Sequence, residues 1–154
     1  MGPGEYVADV TQGITHPSQL PEPTIERRSR SYRRRACPNC GKSCYRDTKG
    51  HRSLHDLGSV RSGRPRDIYI EYSKHRCEKC DIYFNADMSD LAQPAARYTN
   101  RVVDRAVRAV VENGLSYASA SWQMWSDHLV FVPWATIQTW VEAAGKKSRR
   151  MRRA

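Results

Sequence analysis

The sequence predicts a small α+β protein in which a region of short antiparallel strands precedes an all-α unit of three helices. Three observations predict this arrangement. The hydrophobic fraction is 39%, which is low for one large apolar core. Residues 37–85 are polar, with two cysteine pairs and strand-like alternation, and helical spacing of apolar residues begins near Tyr98. We divide the chain into a disordered leader with an arginine-rich arm (1–35), a cysteine-containing β region (36–92), a helical unit (96–145) and a basic tail (146–154).

The clearest strand signal lies at residues 67–76. Ile68, Ile70 and Tyr72 alternate onto one face, which is the period of a half-buried strand, and residues 63–65 (Gly-Arg-Pro) mark a turn before it. Weaker patterns indicate two more strands, an earlier one at Leu54, Leu57 and Val60 and a later one at Ile82 and Phe84. The leader lacks any such period, since its first 25 residues contain four prolines and three glycines.

Two CxxC pairs carry the strongest chemical signal. Cys37 and Cys40 form the first pair, Cys77 and Cys80 the second, and 36 residues separate them. Each pair can form a tight knuckle that turns both sulfurs to one point, and Gly41 suits the positive φ that follows such a knuckle. Four thiolates complete a closed tetrahedral site, so we expect one structural Zn²⁺ held in a zinc ribbon. A redox dithiol and unligated cysteines are the alternatives, although the βαβ context that a redox dithiol usually needs is missing. Catalytic zinc is not expected, because four thiolates leave no position for water.

A fifth cysteine and three histidines lie between or beside these pairs. The simplest interpretation makes Cys44 a free thiol and His51, His55 and His75 surface or hydrogen-bonded residues. A pairing of Cys44 with Cys40, or a histidine in place of one cysteine ligand, stays open as an alternative.

Three helices are predicted after Tyr98. The first carries apolar residues at helical spacing and ends at Asn113-Gly114. Ser116 can cap a second helix that runs to about Asp127, and Pro133 fits the first turn of a third that ends at Gly145. The short connection between the second and third helices predicts a helix-turn-helix pair.

The third helix is the predicted recognition helix. Trp134, Ile137 and Val141 are expected to face the other helices, with Trp140 at the edge. This leaves small polar side chains for contact with base edges of DNA, namely Ala135, Thr136, Gln138 and Thr139. The alternative is that these are merely solvated helix positions. Four tryptophans lie within 19 residues, and their helical spacing favours core packing over base stacking.

The net charge of +10 is concentrated in two short segments. Residues 27–35 contain six arginines and residues 146–154 six basic side chains, whereas residues 36–145 are close to neutral. A protein this basic is expected to bind polyanions. The predicted phosphate contacts are Arg33, Arg34, Arg35, Arg101, Arg105, Lys146, Lys147, Arg149 and Arg150. Solvated charge is the alternative throughout, and Arg101 and Arg105 could equally pair with Asp104 and Glu112.

The sequence carries neither an apolar run long enough to span a bilayer nor a signal peptide. We therefore expect a cytoplasmic, nucleoid-associated protein with no membrane partner.

The order of motifs resembles a known family. The series CPNCG, HDL, GRP, a strand and HRCEKC, followed by the aromatic Phe84, resembles the N-terminal zinc finger of ISL-three family insertion-sequence transposases. Residues 114–141 resemble the helix-turn-helix that follows it there. The resemblance covers roughly residues 36–145 and implies binding to transposon ends, with the two CxxC pairs as metal ligands.

The resemblance also has a limit. Family members continue into an RNase-H-like domain whose carboxylates hold catalytic magnesium, and residues 36–145 show no such carboxylate cluster. We therefore expect a DNA-binding protein that is not an enzyme, which recognises transposon ends or an operator. Its expected partners are double-stranded DNA, a second copy of itself and a separately encoded catalytic subunit. An RNA-associated zinc ribbon and an adaptor that recruits a nuclease or integrase are the competing hypotheses.

Overall fold

The computed structural model describes residues 19–153 of the chain and the side chains of residues 19–148. It confirms a small α+β protein with the strands first and three helices after them. The strands are β1 (Thr24–Arg30), β2 (Arg34–Ala36), β3 (Ser43–Ser59), β4 (Arg64–Cys77) and β5 (Ile82–Asn85), and the helices are α1 (Asn100–Val111), α2 (Tyr117–His128) and α3 (Trp134–Arg153).

The sheet is mixed, whereas the sequence predicted short antiparallel strands only. Its order is β1-β4-β3-β2, and β5 pairs with the last residues of β4. β1 runs parallel to β4, with Thr24 beside Arg66 and Arg30 beside Tyr72, while the other pairings are antiparallel. β3 and β4 are also long, with 17 and 14 residues. Their length allows one hairpin to contact both the cysteine pairs and the helices.

The arginine-rich arm is not disordered in residues 24–36, which corrects the predicted boundary at residue 35. This part of the arm forms β1 and β2, and the predicted leader in residues 1–18 lies outside the described part of the chain. The β4 ladder satisfies the backbone of β1, and acids neutralise two of its arginines. Arg28 Nε lies 3.2 Å from Glu26, and Arg30 pairs with Asp90. Asp90 is 60 residues away in sequence, so local composition could not indicate this pairing.

The two faces of the sheet differ in burial. Ile68 and Ile70 are fully buried, and Leu54 packs with Ile68 and Ala92 beneath the segment that leads to α1. The opposite face of the same strands is open and carries His51 stacked on Tyr69, with ring centroids 5.5 Å apart. The predicted alternation of Ile68 and Ile70 therefore marks the covered face, as expected for a half-buried strand.

The three helices form a second core of their own. It contains Val102, Ala106 and Ala109 of α1, Ala120 and Met124 of α2, Ile137 of α3, and Val130 and Val132 from the connection between α2 and α3. The Ser116 hydroxyl accepts from the Ser119 N–H at 3.1 Å, so the predicted cap of α2 is confirmed. Gly114 has φ +69° just after α1, as its place at a helix end requires.

The predicted end of the third helix at Gly145 is wrong. α3 continues to Arg153, so the basic tail extends this helix and is not a separate arm. Gly145 does not adopt the positive φ that ends many helices, and it lies inside α3. The lysines and arginines that follow it are good helix formers.

A buried carboxylate joins the sheet to the helices. Asp56 of β3 accepts from Arg101 Nε at 2.6 Å and from the Thr99 hydroxyl at 2.8 Å, and Arg101 Nη2 binds its second oxygen. Beside it, the His55 N–H donates to the Arg97 carbonyl at 2.8 Å. Burial opposes ionisation of the Asp56 carboxyl, but the hydrogen bonds from Arg101 and Thr99 outweigh it and hold the pKa of Asp56 below its usual value.

We predict that Asp56→Asn lowers the free energy of unfolding by about 2 kcal/mol at neutral pH, since hydrogen bonds to a charged group are lost. Because the folded pKa of Asp56 is depressed, its contribution is complete above the ordinary carboxyl pKa of about 4 and is lost as the pH falls below it. The variant should therefore show a flatter decline of stability between about pH 5 and pH 2 in urea denaturation.

Asp104→Asn is the matched control, because Asp104 forms an exposed pair with Arg108 at 3.3 Å. It should change stability by less than about 0.5 kcal/mol. Equal losses in the two variants would contradict the anchoring role of Asp56.

Candidate metal centre and basic surface

The four predicted cysteine ligands lie in two turns at the same end of the sheet. Cys37 and Cys40 occupy the turn between β2 and β3, and Cys77 and Cys80 occupy the end of β4 and the turn into β5. The antiparallel pairing of β3 with β4 sets these turns side by side. Gly41 has φ +77°, as predicted for the residue after a knuckle.

The sulfurs are close enough to share one metal ion. The four Sγ atoms all lie within 4.8 Å of one another, and Cys40 Sγ is 3.6 Å from Cys77 Sγ. Thiolates on tetrahedral zinc, at a Zn–S distance of about 2.3 Å, are separated by about 3.8 Å. Asn39 donates to Cys37 Sγ from its backbone and to Cys80 Sγ from its side chain, each at 3.4 Å. The donor set fits a soft, tetrahedral ion.

The backbone of the second knuckle favours the charged form of its first cysteine. The hydrogen bond from the Cys80 backbone outweighs desolvation and lowers the pKa of Cys77 to about 6. Because only the thiolate binds metal, a lowered pKa makes this sulfur available as a ligand at neutral pH.

The structure brings together the four cysteines of the two CxxC pairs, and neither Cys44 nor a histidine belongs to this cluster among the described residues. All five cysteines, which lie in the described part of the chain, are free thiols, so Cys44 forms no disulfide with Cys40. Cys44 is buried beside the four ligands, and its Sγ faces the Lys42 carbonyl at 3.3 Å. Desolvation raises the pKa of the Cys44 thiol, in contrast to that of Cys77.

His75, which the sequence predicted to be a surface or hydrogen-bonded residue, is a hydrogen-bonded residue of the interior. It is fully buried, and its Nδ1 lies 3.0 Å from the Cys44 carbonyl, which can only accept, so Nδ1 carries the proton. Its Nε2 lies 2.8 Å from the Ser73 hydroxyl, and that hydroxyl accepts from the Tyr32 N–H at 3.0 Å. The ring also stacks on Phe84 at 5.5 Å. These contacts fix the strands that carry the knuckles.

The predicted base-reading residues lie on the first two turns of α3. Ala135 and Thr139 are exposed, whereas Thr136 and Gln138 are half-buried. Gln138 Nε2 donates to Glu142 at 3.1 Å, and the Thr139 hydroxyl donates to the Ala135 carbonyl at 3.1 Å. All four side chains are therefore on or near the surface of one helix.

Trp134 does not face the helical core, contrary to the prediction. Its side chain is 56% exposed, while Ile137 is buried. Trp140, predicted at the edge, packs edge-on against Tyr98 with ring centroids 5.3 Å apart. Trp134 is the first residue of α3, and the spacing of three residues to the buried Ile137 does not bring it inward.

Some of the predicted phosphate contacts have partners within the protein, whereas others are exposed to solvent. Arg101 holds Asp56 and is therefore a structural residue, whereas Arg105 is exposed. Arg34 lies over the Tyr45 ring and Arg35 donates to the Asn85 carbonyl, while the Arg33 side chain is exposed. Lys146 and Lys147 are exposed on α3, and Arg149 and Arg150 lie on the same helix with side chains outside the described part.

The chain matches no family model, and neither a characterised protein nor a solved structure is significantly similar to it. Among residues 19–153, none of the helices has the length and apolar character needed to cross a membrane.

We predict that the chain binds one divalent ion and that Cys77→Ser abolishes tight binding, because three thiolates cannot close the site. Titration with Co²⁺ and competition by Zn²⁺, followed by thiolate absorption, measures the stoichiometry. The same substitution should lower the melting temperature, since binding of a structural metal contributes directly to folding.

Cys44→Ser is the matched control for this experiment. It removes a buried thiol that lies beside the site but outside the four-cysteine set. This variant should retain one ion per chain, and loss of binding in it would show that Cys44 is a ligand.

Proposed function

We propose that this protein binds double-stranded DNA sequence-specifically through a helix-turn-helix formed by α2 and α3, on a scaffold stabilised by zinc. The observation that carries the proposal is the packing of these helices. Both contact α1, and residues 129–133 connect them directly, with Leu129 in the left-handed conformation that ends α2. This packing leaves the first turns of α3 accessible, as recognition of a major groove requires.

The exposed face of α3 supports a role in contacting DNA bases. Ala135, Thr139, Glu142 and Lys146 recur at steps of four and three residues and are all exposed, so they share one face. Thr139 and Ala135 suit contact with the thymine methyl, and Gln138 can pair with adenine once it releases Glu142. Lys146 and Lys147 extend the same helix with positive charge toward the phosphates.

Zinc is the ion that best suits the cysteine cluster. Four thiolates with separations near those of a tetrahedral site are typical of structural zinc, and they leave no open coordination position. We therefore assign the metal a structural role and the chain a binding function, with chemistry left to a partner.

The target we propose is the end of a mobile element or an operator. The order of motifs that resembles ISL-three transposases supports this choice, and the arrangement of a four-cysteine β region before three helices is compatible with it. In this proposal the protein acts as a homodimer or together with a separately encoded catalytic subunit, since one helix-turn-helix reads only a short site.

We predict that zinc-loaded protein enriches a motif from a random duplex pool at about 150 mM salt, where nonspecific binding is weakened. Gln138→Ala or Thr139→Ala should relax one base position and weaken binding to the enriched site by about 1–3 kcal/mol. Binding without an enriched motif would overturn sequence-specific recognition.

Gln123→Ala provides the matched control, since it removes the same side chain from α2 instead of α3. It should leave the enriched motif unchanged. Lys146→Gln should weaken binding to all sequences about equally and reduce the salt slope by about 1.

A further inference from the structure

The end of the sheet beside the cysteine cluster carries an exposed row of alternating arginines and tyrosines. Arg34 of β2 pairs across the strands with Tyr45 of β3, and Arg76 of β4 pairs with Tyr83 of β5. The β3–β4 ladder ends with Arg46 opposite His75, and the next residue of each strand, Tyr45 and Arg76, lines the same groove. Residues directly opposite each other lie on the same face of a sheet, so these four side chains form one row across four strands.

The aromatic members of this row are unusually exposed. Tyr45 is 56% exposed and Tyr83 is 68% exposed, although both lie in regular strands. On the opposite face, Cys44, His75 and Phe84 are covered or packed together. Large apolar rings left in solvent next to a well-packed face indicate a binding surface.

The arginines of the row are held by the rings. The guanidinium carbon of Arg34 lies 4.3 Å from the Tyr45 ring centroid, and that of Arg76 lies 5.7 Å from the Tyr83 centroid. Arg76 also pairs with Asp81 at 2.9 Å, but the Asp81 side chain is 80% exposed, so this pair contributes little and can exchange for a phosphate. The cations are therefore positioned in advance, at small entropic cost.

A groove opens at the middle of the row, between Tyr45 and Arg76. Its lining includes Tyr45 and Arg76 together with Lys42 and Arg46, while Asp47 and Glu78 also reach it. The groove thus combines aromatic rings with basic side chains that can contact a phosphate backbone. Adjacent strands are about 4.8 Å apart, so Tyr45 and Tyr83 are separated by about two strand spacings, with Arg76 between them.

We propose that this row, defined by Arg34, Tyr45, Arg76 and Tyr83, is a second nucleic-acid site that binds single-stranded nucleic acid. Unpaired bases stack on the two tyrosines, and Arg76 contacts the phosphate that links them. Stacking on exposed rings requires base faces that a duplex does not offer, which favours a single strand over a duplex. The site is separate from α3 and does not depend on duplex recognition by the helices.

Fluorescence anisotropy with labelled oligo(dT) and oligo(rU) of about 12 nucleotides tests the proposal on the full, metal-loaded chain. Tyr45→Leu and Tyr83→Leu should each weaken binding of the single strand about tenfold, because each removes one stacking platform. Arg76→Gln should reduce the salt slope by about 0.7, the value for one phosphate contact on a single strand. The two oligonucleotides distinguish a DNA from an RNA ligand.

Tyr69→Leu is the matched control. The guanidinium carbon of Arg27 lies 5.4 Å from the Tyr69 ring centroid. Arg27 and Tyr69 therefore form the same kind of cation–π pair on another part of the sheet. The control should bind the oligonucleotide like the unmodified protein, and an equal loss in all three tyrosine variants would overturn the proposal. Unchanged affinity in Tyr45→Leu and Tyr83→Leu would overturn it as well.

Photocrosslinking provides a second measurement that does not depend on variants. A 5-bromouracil-substituted strand should crosslink to peptides that contain Tyr45 or Tyr83, whereas crosslinks only elsewhere would contradict the site. Motif-bearing duplex, measured in parallel, separates this proposal from the function of α3. Tyr45→Leu should leave duplex affinity within about twofold, and Gln138→Ala should leave single-strand affinity unchanged.

Discussion

The pairing of β3 with β4 is the constraint on which the other parts of this structure depend. One end of this hairpin brings the two CxxC turns together, so that four sulfurs lie within 4.8 Å of one another. Toward the other end, β3 presents Asp56, whose contacts with Arg101 and Thr99 hold the first helix. A single ladder of backbone hydrogen bonds therefore connects the cysteine cluster to the helical unit.

The core is divided into small clusters, and polar contacts connect them. One cluster lies among the helices, another at Leu54 and Ile68, and a third around the buried cysteines. None of these clusters is large, so buried polar groups with complete hydrogen bonding contribute more to specifying one packing arrangement. His75 and Asp56 are such groups, and in the described residues every buried side-chain nitrogen and oxygen has a hydrogen-bond partner. A metal ion held by the four cysteines would add stabilisation that apolar burial does not supply in a protein of this composition.

In the folded chain, some basic side chains form hydrogen bonds within the protein and others remain exposed to solvent. Arg30, Arg101 and Arg35 bind an acid or a carbonyl within the fold, and they position elements of structure. Lys146, Lys147 and Arg33 remain exposed. The net charge of +10 is thus a poor measure of the surface available to a polyanion, because part of it is used internally. The two proposed nucleic-acid sites lie in different units, α3 and the end of the sheet, and their ligands differ because a helix enters a groove whereas exposed rings stack on free bases.

The sequence by itself determined the cysteine cluster, the strand alternation at Ile68 and Ile70, the cap at Ser116 and the existence of three helices. These features depend on local spacing or on chemistry so specific that four cysteines have few other uses. Only the tertiary structure decided that residues 24–30 form a parallel strand, that Arg101 binds Asp56, that Trp134 is exposed and that Arg34, Tyr45, Arg76 and Tyr83 form one row. Each of these depends on partners that are distant in sequence or on the register between strands. A one-residue change of register would move every side chain of a strand to the other face, and local sequence does not fix that choice.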